Sequence, residues 1–484
     1  MEYQNYINGR WVKSSDDQIF EQRNPANLDE VTGKWPKSTR KDAQHAVEAA
    51  HEAFPAWAEL GVHGRAEYLT KAVDVLKGRI DEIAATLTEE NGKTLEEGRT
   101  EARSAVKEME FQIAQGLSMC GETAQSAQKG VFAYAIRRPL GAVSIICPWN
   151  FPFNVPGRKC TPALISGNTV VMKPASLTPK AGKAFVDLFI EAGLPRGVLN
   201  LITGGGSTVG EEMITNPMVE AISFTGSTGT GKSIQQSVAK SLTRTQLELG
   251  GKNPAVVLED ADIDISVDNV AKAAFACAGQ WCTSTSRAIV VRNVLDVFTK
   301  KLLQRVKNIR VGDGRSDVDM GPVCGTDQLK TILDYINIGQ EEGACLAHGG
   351  NRLSDNGLDK GCFVEPTVFT EVTPGMRIAQ EEIFGPVLSV LVAEDFQHAL
   401  ELANQVEFGL SSSIFTKDLS RAFQFLEKTE VGLTHVNMMT AYREPQLSFG
   451  GVKSSGHGIP ESGKTGLEFF TEHKVAFINY NMTP

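Results

Sequence analysis

The sequence predicts an α/β protein built from more than one domain, on three observations. Between residues 140 and 250, short apolar runs alternate with helical stretches, the order that a parallel sheet with crossover helices requires. A second alternation of the same kind runs from about 251 to 440. At 484 residues the chain also exceeds what one hydrophobic core organises, which predicts two or three domains.

Taken in order, residues 1–35 read as short strands and turns. From Lys41 to about Leu117 the pattern is helical: Ala46, Val47, Ala49, Ala50, Ala53, Phe54 and Trp57 recur at helical spacing, and two further helices are expected around 65–87 and 94–115. Residues 118–139 are small and polar, then extended. They read equally as a surface hairpin or as an arm that pairs with another subunit's sheet edge. Buried strands are expected at 142–147, 169–172, 199–202 and 221–224, with a helix at 179–192 stopped by Gly193 and Pro195. The second alternation holds a strand at 254–258, a helix carrying Phe275 and a strand at 287–292, and the tail 466–484 turns extended again.

Composition narrows the function. Hydrophobic content of 41% and charged content of 22% are those of an ordinary globular protein, and a net charge of −10 with no basic run argues against a nucleic-acid partner. The amino terminus lacks the basic and apolar regions of a secretion signal, and no apolar run is long enough to span a bilayer. Eight cysteines at irregular spacing and eight unclustered histidines show neither a disulfide framework nor a metal site. The expectation is a reduced, cytoplasmic, metal-free enzyme with no membrane partner.

The sharpest motif is Gly226-Ser227-Thr228-Gly229-Thr230-Gly231-Lys232-Ser233, which satisfies G-x-x-x-x-G-K-[ST] between a strand and a helix. With Asp260 ending a later strand as a magnesium holder, it reads as a nucleotide hydrolase. Glycines at a strand-to-helix turn bring backbone N–H groups up to any phosphate, however, and a dinucleotide pyrophosphate fits as well as a triphosphate. Three other stretches bear on the choice. Asn150, in Trp149-Asn150-Phe151-Pro152, follows a strand and reads as an oxyanion donor or a turn residue. Glu248, between Leu247 and Leu249, reads as a base whose pKa an apolar setting raises, or as a solvated strand end. Lys173, before Pro174, Ala175 and Ser176, can reach a ribose or phosphate. Cys282, after Gly279-Gln280-Trp281 and followed by small hydroxyl residues, reads as a nucleophile with room for a carbonyl, or as a buried helix-end thiol like Cys277.

Together these stretches resemble the aldehyde dehydrogenase superfamily, in its non-acylating, NAD(P)-dependent branch. The resemblance runs from Ile7-Asn8-Gly9-Arg10-Trp11 to the segment before Lys474. It also includes Glu381-Glu382-Ile383-Phe384-Gly385-Pro386 and Phe449-Gly450-Gly451. It implies an aldehyde dehydrogenase-like fold: a Rossmann-like NAD(P)-binding domain of residues 1–117 and 140–250, a catalytic domain of 251–465, and a small β oligomerisation element of 118–139 with 466–484. A homodimer or homotetramer is implied as well.

The same resemblance implies a chemistry for each residue. Cys282 attacks an aldehyde, Asn150 and the Cys282 N–H hold the oxyanion, and Glu248 activates the water that releases a carboxylic acid. Glu248 also sets the chain apart from the CoA-acylating members, which lack it. NAD or NADP is expected against Lys173, Ser176, Gly226, Ser227, Gly231, Glu382, Phe384 and Trp149. Relatives that prefer NAD often carry a glutamate where Ser176 stands, so acceptance of NADP is expected. For substrate, Arg158 is similar to the arginine that binds the distal carboxylate in succinic semialdehyde dehydrogenases, but their second arginine is replaced here by Ala276. Phe151, Trp281 and Phe449 point to an aromatic mouth. The glutamate that relatives use to relay protons is replaced by Pro460, with Glu461 one position later.

Overall fold

The computed structural model describes residues 1–481; the last three residues of the expected oligomerisation element lie outside them. Two large sheets dominate. In the first, Leu199–Leu201, Thr169–Lys173, Ala142–Ile146, Val219–Thr225 and Arg244–Glu248 lie side by side and parallel. Helices cover both faces, so these strands are almost continuously buried and apolar instead of alternating. Asn5–Ile7 and Arg10–Val12 extend one edge antiparallel. At the other edge Gly456–His457 returns from far along the chain to pair with Arg244–Glu248, setting Gly456 opposite Glu248.

The second sheet runs Cys345–His348, Thr367–Thr370, Val387–Ala393, Thr285–Val291, Asn253–Val257, Ser411–Phe415 and Leu433–Val436. It is parallel apart from its first member. The fold is therefore the expected one, two α/β sheets whose strand ends hold the chemistry. A third, three-stranded sheet joins Glu122–Gln125, Val131–Pro139 and Thr471–Asn479. The 118–139 segment is thus more than a hairpin, because the tail pairs along the full length of Val131–Pro139. This sheet leaves Phe132, Ile136, Val475, Phe477 and Ile478 exposed.

Two expectations need correction. The helix read at 65–87 is two, Gly61–Gly78 and Ile80–Asn91, broken at Arg79, whose φ of −121° and ψ of 16° leave the helical region. Both pieces bury apolar residues at helical spacing, so the pattern carries across a break that only Gly78 hints at. The helix before Cys282 also stops earlier than expected, at Phe275. Among the described residues no helix is long and apolar enough to cross a membrane.

Candidate active site

Between Phe275 and Cys282 the backbone turns through three left-handed residues, Cys277 (φ 49°), Ala278 (φ 54°) and Gly279 (φ 68°). Such residues cost on the order of 1 kcal/mol each when they are not glycine, so the turn must be held from outside. Glu97 Oε1 accepts the Cys277 N–H at 2.7 Å. Gln280 Nε2 donates to the Cys277 carbonyl at 2.9 Å, and Gln280 Oε1 accepts the Cys324 N–H at 2.8 Å. A side chain at Gly279 would press its Cβ to 2.2 Å from the Gly385 carbonyl oxygen, so only glycine fits. The result carries Cys282 to the point where two cavities meet, one of about 720 Å³ and one of about 1090 Å³. Burial pushes its thiol up to about 12, against the pull of Arg158.

Asn150 and Thr225 line both cavities as well. Asn150 follows the strand Ala142–Ile146, and its Nδ2 donates to the Gln280 carbonyl at 3.0 Å, tying it to the loop that carries Cys282. Its own carbonyl accepts from Lys93 Nζ at 2.8 Å, and Lys93 is locked in a fully buried ion pair with Glu101 at 2.5 Å. Glu101 also accepts the N–H groups of Phe153 and Asn154, capping the helix Asn154–Ile165. The sequence showed no sign of this Lys93–Glu101 support, since Lys93 lies in the loop before the helix Leu95–Leu117 and Glu101 on that helix, about 50 residues from Asn150.

Glu248 ends the strand Arg244–Glu248, buried, with Oε2 lacking any hydrogen-bond partner. Burial, then the negative charge of Glu461, holds its carboxyl well above the usual range. Glu461 goes the other way. Burial would raise it too, but Lys159 Nζ at 2.8 Å and Arg158 Nη1 at 2.6 Å outweigh burial and hold it below the usual range. The two carboxyl groups are therefore pushed in opposite directions, Glu248 upward and Glu461 downward. The displaced Glu461 does join the site, through the antiparallel bridge between Phe449 and Glu461.

The larger cavity is the cleft where a dinucleotide would fit. Ser227 caps the helix Thr228–Val238, whose N-terminus faces the cleft beside Gly226, and Gly229, Thr230 and Ser233 line it with Ser207 and Gly210. Lys173 and Ser176 lie on its wall; burial pulls Lys173 down to about 8. Glu382 Oε1 accepts the Gly251 N–H at 2.8 Å, and a Cβ on Gly250 would fall 2.2 Å from Glu382 Oε2. Phe384, in the left-handed region at φ 57°, sets its ring edge-on to Trp149 with centroids 5.3 Å apart. Gln328 holds that strained turn, donating to the carbonyls of Ile383 and Phe384 at 3.0 and 2.9 Å.

Two expectations for this loop fail. Gly231 does not line the cleft: it faces Leu249, whose Cδ2 would lie 2.5 Å from a Cβ there, so it serves close helix-to-strand packing. The nucleotide-hydrolase alternative loses its parts. Lys232 is exposed and lies 3.5 Å from Glu407, while Asp260 sits in the turn after Asn253–Val257 of the second sheet and accepts from Thr416, Lys417 and Asp418.

The smaller cavity contains Phe151, Trp281, Phe449 and Arg158. Phe151 and Trp281 lean together with centroids 5.6 Å apart, and the Arg158 guanidinium stacks 4.6 Å over Phe449. Ala276 lines the wall too, so the second arginine is indeed missing there. A different one, Arg443, enters from the segment between Leu433–Val436 and Phe449. Nothing near it in the sequence pointed to this role.

Comparisons with known proteins give the family and the fold. The family model for the aldehyde dehydrogenase family matches residues 11–476. An alpha-ketoglutaric semialdehyde dehydrogenase of Bacillus subtilis is 42% identical over 477 residues, 98% of each chain. A 2,5-dioxopentanoate dehydrogenase of Saccharolobus solfataricus is 39% identical over 471 residues, 97% of this chain and 98% of the relative. The solved structure of a betaine aldehyde dehydrogenase from Staphylococcus aureus, in complex with NAD+, superposes with a TM-score of 0.97 at 36% identity, covering 100% of this chain and 96% of that one. An NADP-dependent enzyme of E. coli does so with a TM-score of 0.95 at 34% identity, covering 99% and 98%. With the match running nearly end to end, the chain belongs to the aldehyde dehydrogenase family, NAD(P)-dependent enzymes that oxidise an aldehyde to its carboxylic acid.

Proposed function

We propose that Cys282, Asn150 and Glu248 carry this oxidation, and that the substrate is a semialdehyde bearing a carboxylate. The observation that supports the first part is the meeting of both cavities at Cys282 and Asn150. The aldehyde enters through the smaller cavity, and the Cys282 sulfur adds to its carbonyl carbon as the ionised form of Glu248 takes the thiol proton and passes it to solvent. The oxyanion so formed accepts hydrogen bonds from Asn150 Nδ2 and the Cys282 N–H. Trp149, Lys173, Ser176, Gly226, Ser227, Glu382 and Phe384 would hold NAD or NADP, which supplies the hydride acceptor that turns the thiohemiacetal into a thioester. The water then adds to the thioester carbon as Glu248, in its ionised form, takes its proton. Collapse breaks the carbon–sulfur bond, and the expelled Cys282 sulfur recovers that proton, while Glu461, held by Lys159 and Arg158, keeps the Glu248 carboxyl basic. The product is the free acid.

Support for the substrate class comes from the guanidinium groups of Arg158 and Arg443 in the smaller cavity, and from relatives named for alpha-ketoglutaric semialdehyde and 2,5-dioxopentanoate. Betaine aldehyde, named in other relatives, carries a quaternary ammonium that those cations would oppose. The unpaired state of all eight cysteines supports a cytoplasmic setting. The exposed apolar residues of the three-stranded sheet support a homo-oligomer. The test is reduced-cofactor absorbance with NAD and NADP against acidic, neutral and cationic aldehydes, without CoA. Fastest turnover of an acidic semialdehyde is expected; preference for a cationic or neutral aldehyde would overturn the substrate class.

A further inference from the structure

Three arginines line the substrate cavity; Arg305, half exposed, is paired with Asp268 at 3.3 Å, and the other two, Arg158 and Arg443, are not equivalent. Arg158 is spent inside the protein: Nη1 donates to Glu461 at 2.6 Å, Nη2 to Asn154 Oδ1 at 3.1 Å, and Phe449 covers its face. Its Nε is buried without a partner, and only 7% of its side chain is exposed. Arg443 is different. Its contacts all fall on the two terminal nitrogens: Nη1 to Glu108 at 2.9 Å, Nη2 to Asn154 Oδ1 at 2.9 Å and to Ser104 at 3.4 Å. The Arg443 side chain keeps 20% of its surface open.

Electrostatics divides the pair in the same way. Burial works against the charge of Arg158, but Glu461 and Glu108 outweigh it and raise its pKa. At Arg443, burial and the like charge of Arg158 outweigh Glu108 and lower it. One cation is over-compensated and the other is short of an anion. Between them, Asn154 has its Oδ1 fixed by both guanidinium groups, which leaves its Nδ2 a buried amide donor with no acceptor. An anion at Arg443 would answer both deficits.

We propose that Arg443, steadied by Glu108 and Asn154, reads the distal carboxylate of the substrate, the task the sequence suggested for Arg158. Arg158 instead serves as a positioning residue that holds Glu461 beside Glu248. This inference rests on the acidic-semialdehyde reading above.

The test compares 5-oxopentanoate with pentanal, a neutral aldehyde of equal length, on the full-length enzyme. In Arg443→Met, kcat/KM for 5-oxopentanoate should fall roughly 10- to 100-fold, mostly through KM, the worth of one charge-assisted hydrogen-bonded pair. Pentanal should change far less, and Arg443→Lys should recover part of the loss. Arg158→Met should lower kcat on both aldehydes and alter its pH profile. Equal losses on both aldehydes in Arg443→Met would make Arg443 a mere clamp onto Glu108, and a carboxylate-selective loss in Arg158→Met would return the role to Arg158; either result overturns the proposal. If Arg443→Met does not fold, competitive inhibition by glutarate is compared in the wild type and Arg443→Lys. Weaker inhibition of the variant supports the proposal and equal inhibition overturns it. A wild type indifferent to the carboxylate would instead remove the substrate class, while aldehyde oxidation itself would stand.

Discussion

At the scale of single residues, the pair Glu248 and Glu461 sets the pH behaviour. The raised pKa of Glu248 means that its basic form grows as pH rises, so thioester hydrolysis should accelerate toward alkaline pH. In Glu461→Gln the negative charge that raises Glu248 is gone, and Lys159 and Arg158 are freed to act on it. Both changes lower the Glu248 pKa, so the rising limb of kcat against pH should move to lower pH; an unmoved or higher limb would contradict the coupling. At the cofactor cleft, Ser176→Glu should reduce kcat/KM for NADP by about tenfold or more relative to NAD, because a carboxylate there meets a 2′-phosphate. Cys282, Asn150 and Glu248 were legible because each sits in a short contiguous stretch at a strand end or turn. Arg443 was not, since its partners Glu108 and Asn154 lie about 300 residues away in sequence and no local pattern encodes such contacts.

At the scale of elements, the left-handed turn before Cys282 is the part most easily broken. Gln280 joins the turn to Cys324 and, through its carbonyl, to Asn150. Gln280→Ala leaves the buried Cys324 N–H without a partner and takes one of the two hydrogen bonds from the Cys277 carbonyl, at a cost of about 1–3 kcal/mol. A lowered melting temperature together with a lowered kcat is expected in thermal unfolding and steady-state assays; an unchanged kcat would show that the turn does not depend on Gln280. The sequence pointed to Cys282 but not to this geometry, since neither Cys277 nor Ala278 is of a type that favours positive φ. The same limit explains the helix break at Arg79: hydrophobic spacing reports buried faces, not where a backbone leaves the helix.

At the scale of the whole molecule, two largely parallel sheets supply strand ends around which residues from 93 to 461 come to one place. Their alternation of strand and helix was readable because buried parallel strands are short, apolar and regularly spaced. The tail's pairing with Val131–Pro139 left no local trace, because the strands are so distant in sequence; only the family resemblance grouped the two segments. If its exposed apolar residues join subunits, Val475→Asp with Phe477→Asp should shift sedimentation toward smaller species, and an unaltered assembly would exclude that surface. The central chemistry, a thioester on Cys282 released by Glu248, is tested most directly by mixing Glu248→Gln with aldehyde and cofactor, quenching in acid and weighing the protein. A single burst of reduced cofactor and one acyl adduct mapped to Cys282 are expected. Continued turnover at the wild-type rate, or an adduct on another residue, would contradict it.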